Sequence, residues 1–455
     1  MRLDIPADGP GTPMSGIDAP ALTGDLTADR LSAADYLEAV TAYVDALPAR
    51  PDRSADERRA AEHAHGRARR VRRDFLNTHV EGLYTELTDG LTRAPRFEEL
   101  SETAAEAVPG LVPGPKRLAE EAARCQADKE GWEIDQGLFF AAVLARARTG
   151  DHLLRSMLAP TPRALSLLGE FRRRGHVDLG VATLTNRGGV GHLELANHDC
   201  LNAEDDAAVE ALETGTDLVL LDDSVRVGVL RGAPMNHTRY RGRRVFSAGV
   251  NLTHLYEGGI SLAGFMLRRE AGYIAKIMRG LHRNQAGPAA LWSGDDKPWV
   301  GAVDAFAIGG GMQILLALDG VVAEEGVYAA LPAMEEGLIP GLANLRLPRL
   351  VGARAARRII FTGEQIHASA PEAPLVFDEV VPTRGMDSAV ERAATRLAEP
   401  AVPANRRALG AGEEPPDLFR RYLARYALDQ AFRMYSDDLI ANLERTWIRR
   451  GTGRE

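Results

Sequence analysis

The chain has 455 residues, of which 45% are hydrophobic and 26% are charged, and its formal net charge at pH 7 is −9. This length permits a large core and exceeds one typical domain, so we expect two domains. The acidic balance argues against a dedicated nucleic-acid-binding protein, and no apolar run approaches the roughly 20 residues that span a bilayer. Residues 1–6 (MRLDIP) contain no signal-peptide apolar region, so we expect a cytoplasmic location.

The composition of the N-terminal third indicates helices. Residues 1–28 are rich in Gly, Pro and Asp and predict a mobile tail. Helix formers then dominate, with amphipathic stretches at 55–62 and 72–84, and predict a helical N-terminal domain over residues 29–176. The basic run 67–73 (RARRVRR) lies among acidic neighbours, so it predicts a solvated or salt-bridged helix face.

The sequence pattern changes at Val177, where β-branched runs begin to alternate with helical segments. Residues 217–221 (DLVLL) predict a helix, whereas 225–230 and 300–308 predict strands. We therefore expect an α/β core over residues 177–385. Helix formers return after it and predict a C-terminal helical region over 386–455.

Cysteine and histidine spacing gives no metal motif. Cys125 and Cys200 lie far apart and form neither a CxxC nor a Cys/His pattern, which argues against disulfide and zinc roles. No local two-His-one-carboxylate pattern supports a non-haem iron site, although the ligands of such a site can be dispersed along a chain. We expect no metal cofactor.

Two short segments carry most of the functional information: residues 244–252 (RVFSAGVNL) and 297–313 (KPWVGAVDAFAIGGGMQ). Each ends a strand-like apolar run in small residues. The missing side chains near Gly249 and at 309–311 let a substrate oxygen approach main-chain N–H groups, which predicts a split oxyanion hole. Alone, the glycine triplet would be typical of a tight strand-to-helix turn or a phosphate-binding loop.

The pair, in this order, resembles the crotonase (enoyl-CoA hydratase/isomerase) superfamily. Further landmarks of the resemblance lie at 193–202, 225–232, 336–341 and 351–364. It implies an α/β fold with a crotonase-like ββα-superhelix core, a helical N-terminal domain and C-terminal helices. It also implies that the amides of Val250 and Gly310 hold a thioester carbonyl.

Two positions depart from the hydratases of this superfamily, which add water with a pair of glutamates. Gln313 and Ala333 hold those places here. An amide has no accessible pKa for proton transfer and a methyl group has none, so hydratase chemistry is disfavoured. Gln313 can still form hydrogen bonds, and a plain polar residue at a helix start is the alternative interpretation.

Nearly the whole chain resembles a cofactor-independent dioxygenase branch of the superfamily, including residues 237–246 (HTRYRGRRVF) and 259–270 (GISLAGFMLRRE). The resemblance implies that (3,5-dihydroxyphenyl)acetyl-CoA and O2 give (3,5-dihydroxyphenyl)glyoxylate and CoA, without metal or flavin, in dihydroxyphenylglycine and glycopeptide antibiotic biosynthesis. Loss of the α-proton would give an enolate that two amides can hold and that can itself reduce O2.

The resemblance also implies a set of substrate-binding residues. A carboxylate, two imidazoles and a guanidinium can hydrogen-bond a dihydroxyphenyl ring. The predicted set comprises His198, Glu204, His237, Arg269, Ala248, Asn251, Ile339 for an apolar wall, and Gln430. Taken singly, Glu204 is more simply a solvated helix-start carboxylate, His237 a loop residue and Arg269 part of a surface charge pattern.

The base that takes the α-proton is left open by the sequence. Glu204 and His198 are candidates, and solvent or a phenolate could serve instead.

Partners and rival functions follow from the same family. C-terminal helices mediate trimer contacts in crotonases, so we expect a homo-oligomer, a trimer or a hexamer, without nucleic-acid or membrane partners. The arginines of residues 239–244 (RYRGRR) either meet CoA phosphates or form a strand-edge charge cluster. The rival functions are a non-oxidative acyl-CoA thioesterase or hydrolase, and a catalytically silent assembly protein whose glycines are structural.

Overall fold

The computed structural model describes residues 18–282 and 295–452, and the side chains from 446 onwards are outside this description. The chain forms two compact units. The first comprises the described residues up to Ser156, then Leu255–Gly264 and the described chain from Phe419 onwards. The second comprises Met157–His254 and the described part of Phe265–Leu418. These units combine separate stretches of chain, whereas the boundaries 29–176, 177–385 and 386–455 mark changes in composition and stay predictions.

The helices of the described residues dominate both ends of the chain. In chain order they are α1 Leu26–Asp45, α2 Ala55–Leu87, α3 Phe97–Ala107, α4 Pro115–Ala122, α5 Glu133–Ala145, α6 Ala147–Met157, α7 Pro162–Arg174, α8 Asp206–Leu221, α9 Leu252–Tyr256, α10 Arg268–Ala271, α11 Tyr273–Arg279, α12 Gly310–Leu315, α13 Ala333–Glu336, α14 Ala343–Thr362, α15 Met386–Leu397, α16 Val402–Glu413, α17 Pro416–Met434 and α18 Asp437–Thr452.

The strands all lie in the second unit. They are β1 His176–Asp178, β2 Ala182–Arg187, β3 Val190–Leu195, β4 Val227–Gly232, β5 Trp299–Val303, β6 Phe306–Ile308, β7 Gly320–Glu324, β8 Tyr328–Ala330, β9 Ile366–His367 and β10 Glu379–Val381. The predicted helix at 217–221 is confirmed as the end of α8, and the strand predicted at 225–230 is confirmed as β4 with a shifted start.

The first unit begins with helices that have defined N-terminal caps. The Asp25 side chain accepts a hydrogen bond from the Ala28 N–H, so α1 starts at Leu26. Helix α1 therefore begins within the predicted tail of residues 1–28, whose mobility stays a prediction and whose residues 1–17 lie outside the described residues. At α2, Ser54 and Glu57 form a reciprocal capping box. Residues 67–73 are predicted to form a solvated or salt-bridged helix face. Arg72 of this run is buried and its Nη2 lies 3.2 Å from Asp135, so it is salt-bridged.

The second unit is built on a seven-stranded sheet in the order β1-β2-β3-β4-β5-β7-β10. The pairs β1-β2 and β2-β3 are antiparallel, and all later pairs are parallel. Helices cover both faces, as parallel strands require. On one face Leu193 packs closely against Gly215 of α8, and on the other Val229 and Val300 pack with Met386 of α15.

A second, three-stranded sheet has the order β6-β8-β9, with β6 and β8 parallel. The predicted run 300–308 is therefore two strands, because the chain turns at Asp304 and enters the other sheet. Arg231 of β4 fixes this turn through a hydrogen bond of 2.8 Å from its Nε to the Asp304 carboxylate. The successions β5-β6-α12 and β7-β8-α13 give the ββα arrangement, so the predicted α/β fold with helical N- and C-terminal regions is confirmed.

We expect glycine-to-alanine substitutions to have opposite effects on two helices of the second unit. At Gly215 in α8, a methyl group would lie 2.5 Å from the Cδ1 of buried Leu193. The resulting overpacking should destabilise Gly215→Ala by about 1–3 kcal/mol.

Gly169 on α7 is the matched control. It is exposed, and a methyl group there would meet only the tip of Arg173 at 3.5 Å. Gly169→Ala should stabilise by about 0.4–1 kcal/mol. Urea unfolding followed by circular dichroism measures both, and equal signs would contradict the packing of α8 on β3.

Candidate active site

The two glycine-containing segments meet at the edge of the small sheet. Ser247 pairs in parallel with Ala307 of β6, and the Ile308 N–H donates to the Ser247 oxygen at 3.0 Å. On the other side of β6, the Gly309 N–H donates to the oxygen of Ala330 at 2.8 Å. The glycine triplet thus emerges between residues 247–249 and the end of β8.

Close approach at this edge requires glycine. A methyl group on Gly249 would lie 3.2 Å from the Ile308 oxygen and 3.6 Å from the Gly310 nitrogen. Gly249 also has a φ of +92°, a conformation that favours glycine. The backbone of the first segment therefore lies directly beside the N-terminus of α12.

Two amides at this edge are left without partners. The Glu204 N–H donates to the Gly249 oxygen at 2.6 Å, and the Asn251 N–H donates to the Glu204 backbone oxygen at 2.8 Å. This isolated bridge leaves the N–H of Val250 on the side away from Glu204. The N–H of Gly310 lies in the first turn of α12, where no intrahelical acceptor exists. Within the part of the chain described, neither N–H donates a hydrogen bond.

An ion pair lies immediately behind Gly310. The Nε of Arg269 is 3.0 Å from both carboxylate oxygens of Glu204, and its Nη2 is 2.8 Å from Oε2. Glu204 has no exposed surface and Arg269 is 3% exposed. The interpretations as a solvated carboxylate and a surface arginine are therefore wrong, because the two side chains pair with each other in the interior.

Arg269 uses all five of its N–H groups. Besides Glu204, its Nη1 donates to Glu270 and to the Gln313 Oε1, each at 2.7 Å, and its Nη2 donates to the Gly310 oxygen at 2.7 Å. The Gln313 oxygen is thus held toward the guanidinium, so its NH2 group is turned away from Arg269. The guanidinium fixes Gln313 and Gly310 together.

The electrostatics of this cluster keep Arg269 charged. Burial alone would lower the pKa of Arg269, but the Glu204 carboxylate outweighs it and raises that pKa well above the usual value. Tyr273 donates its hydroxyl hydrogen to Glu204, and burial raises the pKa of Tyr273 well above its usual value. Glu204 is therefore a fully bonded carboxylate.

A second carboxylate, that of Glu336, lies on the other side of the glycine triplet. Because β6 and β8 are parallel, the segments that follow them start at the same edge. A methyl group on Gly309 would lie 3.7 and 3.8 Å from the two carboxylate oxygens of Glu336. Burial, and next the charge of Glu335, raise the pKa of Glu336 to about 7.

The remaining predicted residues near this edge have varied surroundings. His198 is half-buried on a short 3-10 turn, and its Nδ1 has no hydrogen-bond partner within the described chain. His237 is half-buried and its Nδ1 accepts from the Arg239 N–H at 3.3 Å. The Asn251 Nδ2 donates to Asp205 at 3.3 Å. Their contacts with a substrate stay predictions.

Three apolar or neutral candidates complete the predicted set. Ala248 is half-buried and packs with Phe306, and Ile339 is half-buried between α13 and α14. Gln430 is fully buried on α17, within the first unit. Their predicted roles are likewise untested.

Asn202 is a positioning residue that sequence reasoning missed. Its φ is +58°, and its Nδ2 donates to the oxygens of Leu195 at 3.0 Å and Val245 at 2.7 Å. Asn tolerates this left-handed conformation better than most residues, which is the only local signal in the sequence. Asn202 thereby holds the loop that carries Glu204 against the segment before Ser247.

The described residues contain neither a metal-ligand cluster nor a membrane-spanning helix. Across 18–282 and 295–452, no cluster of three His, Cys, Asp or Glu side chains is placed to hold a metal ion. Within the same ranges, no helix combines the length and hydropathy needed to cross a bilayer.

Comparisons with known proteins give a family and a relative that matches nearly the full chain. The family model for enoyl-CoA hydratase/isomerase matches residues 185–411. The (3,5-dihydroxyphenyl)acetyl-CoA 1,2-dioxygenase of Amycolatopsis orientalis is 48% identical over 426 residues, covering 94% of this chain and 98% of the relative. A probable enoyl-CoA hydratase of Rhizobium meliloti (strain 1021) is 34% identical over 32% of this chain and 60% of its own length.

Solved structures were compared as well. The crystal structure of an enoyl-CoA hydratase from Mycobacterium avium subsp. paratuberculosis K-10 is 22% identical, with a TM-score of 0.48, and the match covers 59% of this chain and 99% of that one.

We expect removal of the buried guanidinium to cost much more stability than removal of an exposed one. Arg269→Ala leaves the buried Glu204 charge uncompensated, which should destabilise the second unit by about 3–5 kcal/mol. Arg174→Ala, which removes an exposed partner of Glu170, should change stability by less than about 1 kcal/mol. Denaturant unfolding measures both, and similar losses would contradict the described burial of Arg269.

Proposed function

Because the chain belongs to the crotonase (enoyl-CoA hydratase/isomerase) family, we propose that it is a dioxygenase that acts on (3,5-dihydroxyphenyl)acetyl-CoA. It converts this thioester and O2 into (3,5-dihydroxyphenyl)glyoxylate and CoA. The observation that carries the proposal is the near full-length identity to the Amycolatopsis orientalis dioxygenase. The places of Gln313 and Ala333, where hydratases have glutamates, agree with a reaction other than water addition.

The two unpaired amides support an oxyanion hole in this function. The N–H groups of Val250 and Gly310 would hold the thioester oxygen, where negative charge develops once the α-proton leaves. The enolate then passes an electron to O2, and the two radicals combine at the α-carbon to give a peroxide. Attack of the peroxide on the thioester carbonyl expels CoA, and cleavage of the O–O bond with loss of the second α-proton leaves the α-keto acid.

The protein's further tasks are to orient the ring and to exclude water. The Gln313 NH2 group, whose direction Arg269 fixes, would serve as a hydrogen-bond donor, and His198 and His237 would bind ring hydroxyls. In this arrangement Arg269 and Glu204 act mainly by positioning, because their hydrogen-bonding groups are engaged by protein. Ala248 and Ile339 would form part of the apolar wall of the site near the reacting carbon.

Several finer statements belong to the same proposal. Because the enolate can reduce O2 directly, neither a metal nor a flavin takes part. Arg239 and Arg241 are exposed and would meet the CoA phosphates. By its family, the protein acts as a homo-oligomer in the cytoplasm, and it supplies the arylglyoxylate from which dihydroxyphenylglycine is made for glycopeptide antibiotic biosynthesis. Asn251 would complete the substrate contacts within the second unit.

Oxygen uptake by chelator-treated protein tests the function directly. With (3,5-dihydroxyphenyl)acetyl-CoA, we expect one O2 consumed for each CoA thiol released and each arylglyoxylate formed, with mass spectrometry identifying the acid. CoA release under argon would instead support a thioesterase. No turnover in either condition would support a silent assembly protein and reject the dioxygenase.

We expect Gly310→Ala to reduce the rate strongly. A methyl group there would clash with the Glu204 carboxylate and disturb the alignment of the Gly310 amide. Loss of one oxyanion donor costs about 3 kcal/mol of barrier, so kcat should fall by about 100-fold or more.

Gly320→Ala is the control, since a methyl group at the start of β7 would meet only Leu397, at 3.6 Å. Its kcat should match the wild type. Steady-state kinetics on folded protein, checked by thermal unfolding, would contradict the oxyanion assignment if both variants had unchanged kcat.

A further inference from the structure

The glycine triplet lies between two carboxylates that differ in their surroundings. On the Gly310 side, Glu204 receives hydrogen bonds from Arg269 and Tyr273. On the Gly309 side, Glu336 is half-buried, and its carboxylate forms no hydrogen bond or ion pair with any described residue. A carboxylate with free lone pairs beside an oxyanion hole is placed to accept a proton.

We propose that Glu336 is the base that removes the α-proton of the thioester, an inference that rests on the dioxygenase function proposed above. A carbonyl oxygen held by the Gly310 amide places the α-carbon within a few ångströms of the adjacent Gly309. The Glu336 oxygens lie 3.7 and 3.8 Å from the position that a Gly309 methyl group would occupy, and glycine leaves that space open. The carboxylate therefore faces the reacting region.

Glu204 is the weaker candidate for physical reasons. Its lone pairs are occupied, and proton transfer to it would neutralise the partner of a buried arginine. Glu336 carries no such penalty, and its pKa near 7, set by burial and then by Glu335, suits proton transfer at neutral pH. No charge other than that of Glu335 is among the causes of this shift.

The step balances without a co-reactant. The α C–H bond breaks, its electron pair moves into the enolate and onto the oxygen held by the two amides, and the proton goes to a Glu336 carboxylate oxygen. The enolate is then ready for O2. Without O2 the step reverses, and once the proton on the Glu336 carboxyl group has exchanged with D2O, a deuteron returns to the α-carbon in its place.

Exchange of the α-hydrogens under argon in D2O isolates this step. The probe is (3,5-dihydroxyphenyl)acetyl-CoA, with deuterium content read by NMR, and O2 uptake is measured separately. Glu336→Gln keeps the size of the side chain but removes the proton acceptor. We expect both exchange and turnover to fall by about 100-fold or more, with a small change in KM.

The control is Glu325→Gln, an exposed carboxylate after β7. It should match the wild type, and Glu336→Asp should retain more exchange than Glu336→Gln. Exchange by Glu336→Gln within twofold of the wild type would overturn the inference, as would loss of exchange in His198→Gln alone. A wild type that exchanges deuterium but consumes no O2 would reject the dioxygenase and leave Glu336 supported, whereas a wild type without exchange would overturn the base assignment.

The pH profile gives a readout that does not depend on a Glu336 variant. A base works only when deprotonated, so the wild-type exchange rate should be full above pH 7 and fall as the pH drops below it. Removing the neighbouring charge in Glu335→Gln should move this limb to lower pH. If Glu335→Gln did not shift the acidic limb of the exchange-rate profile, the assignment of Glu336 as the base would be contradicted.

Discussion

The candidate site depends on one buried guanidinium. Arg269 binds the Glu204 carboxylate, and the Glu204 backbone forms a parallel bridge with the segment that carries Val250. The same guanidinium donates to the Gly310 oxygen. One side chain therefore connects the two segments that supply the unpaired amides. A buried charge is tolerated only when it is paired. The ion pair that allows Arg269 to be buried therefore also brings the two amides together.

The carboxylates of Glu204 and Glu336 are chemically identical, but their different surroundings suit them to different roles. Glu204, supplied with donors, keeps a charge that organises its neighbours. Glu336 is half-buried without receiving a partner for its carboxylate, and burial raises its pKa to about 7. Both residues are glutamates, and only the hydrogen bonds around their carboxylates differ. One carboxylate can therefore be structural and the other a proton acceptor, although both lie beside the same glycine triplet.

Much of the fold was predictable from the sequence, because the change from helix formers to β-branched runs at Val177 is strong. The separation of β5 from β6 was not, since an apolar run looks the same whether or not it enters a second sheet. The convergence of residues 244–252 with the glycines could be predicted only by resemblance. The positions of Tyr273 and Glu336 at the site could not be predicted from the sequence. Their proximity to the glycines is created by tertiary pairing, such as that of β6 with β8.

Saturation of Arg269 has a consequence for ligand chemistry. An isolated glutamine side chain can rotate by half a turn and offer either its oxygen or its nitrogen, but here rotation would set NH2 hydrogens against a cation. Gln313 therefore has a fixed polarity. A ring substituent that meets this amide finds a donor, so phenol and phenolate oxygens are favoured over aniline nitrogens, which are poor acceptors.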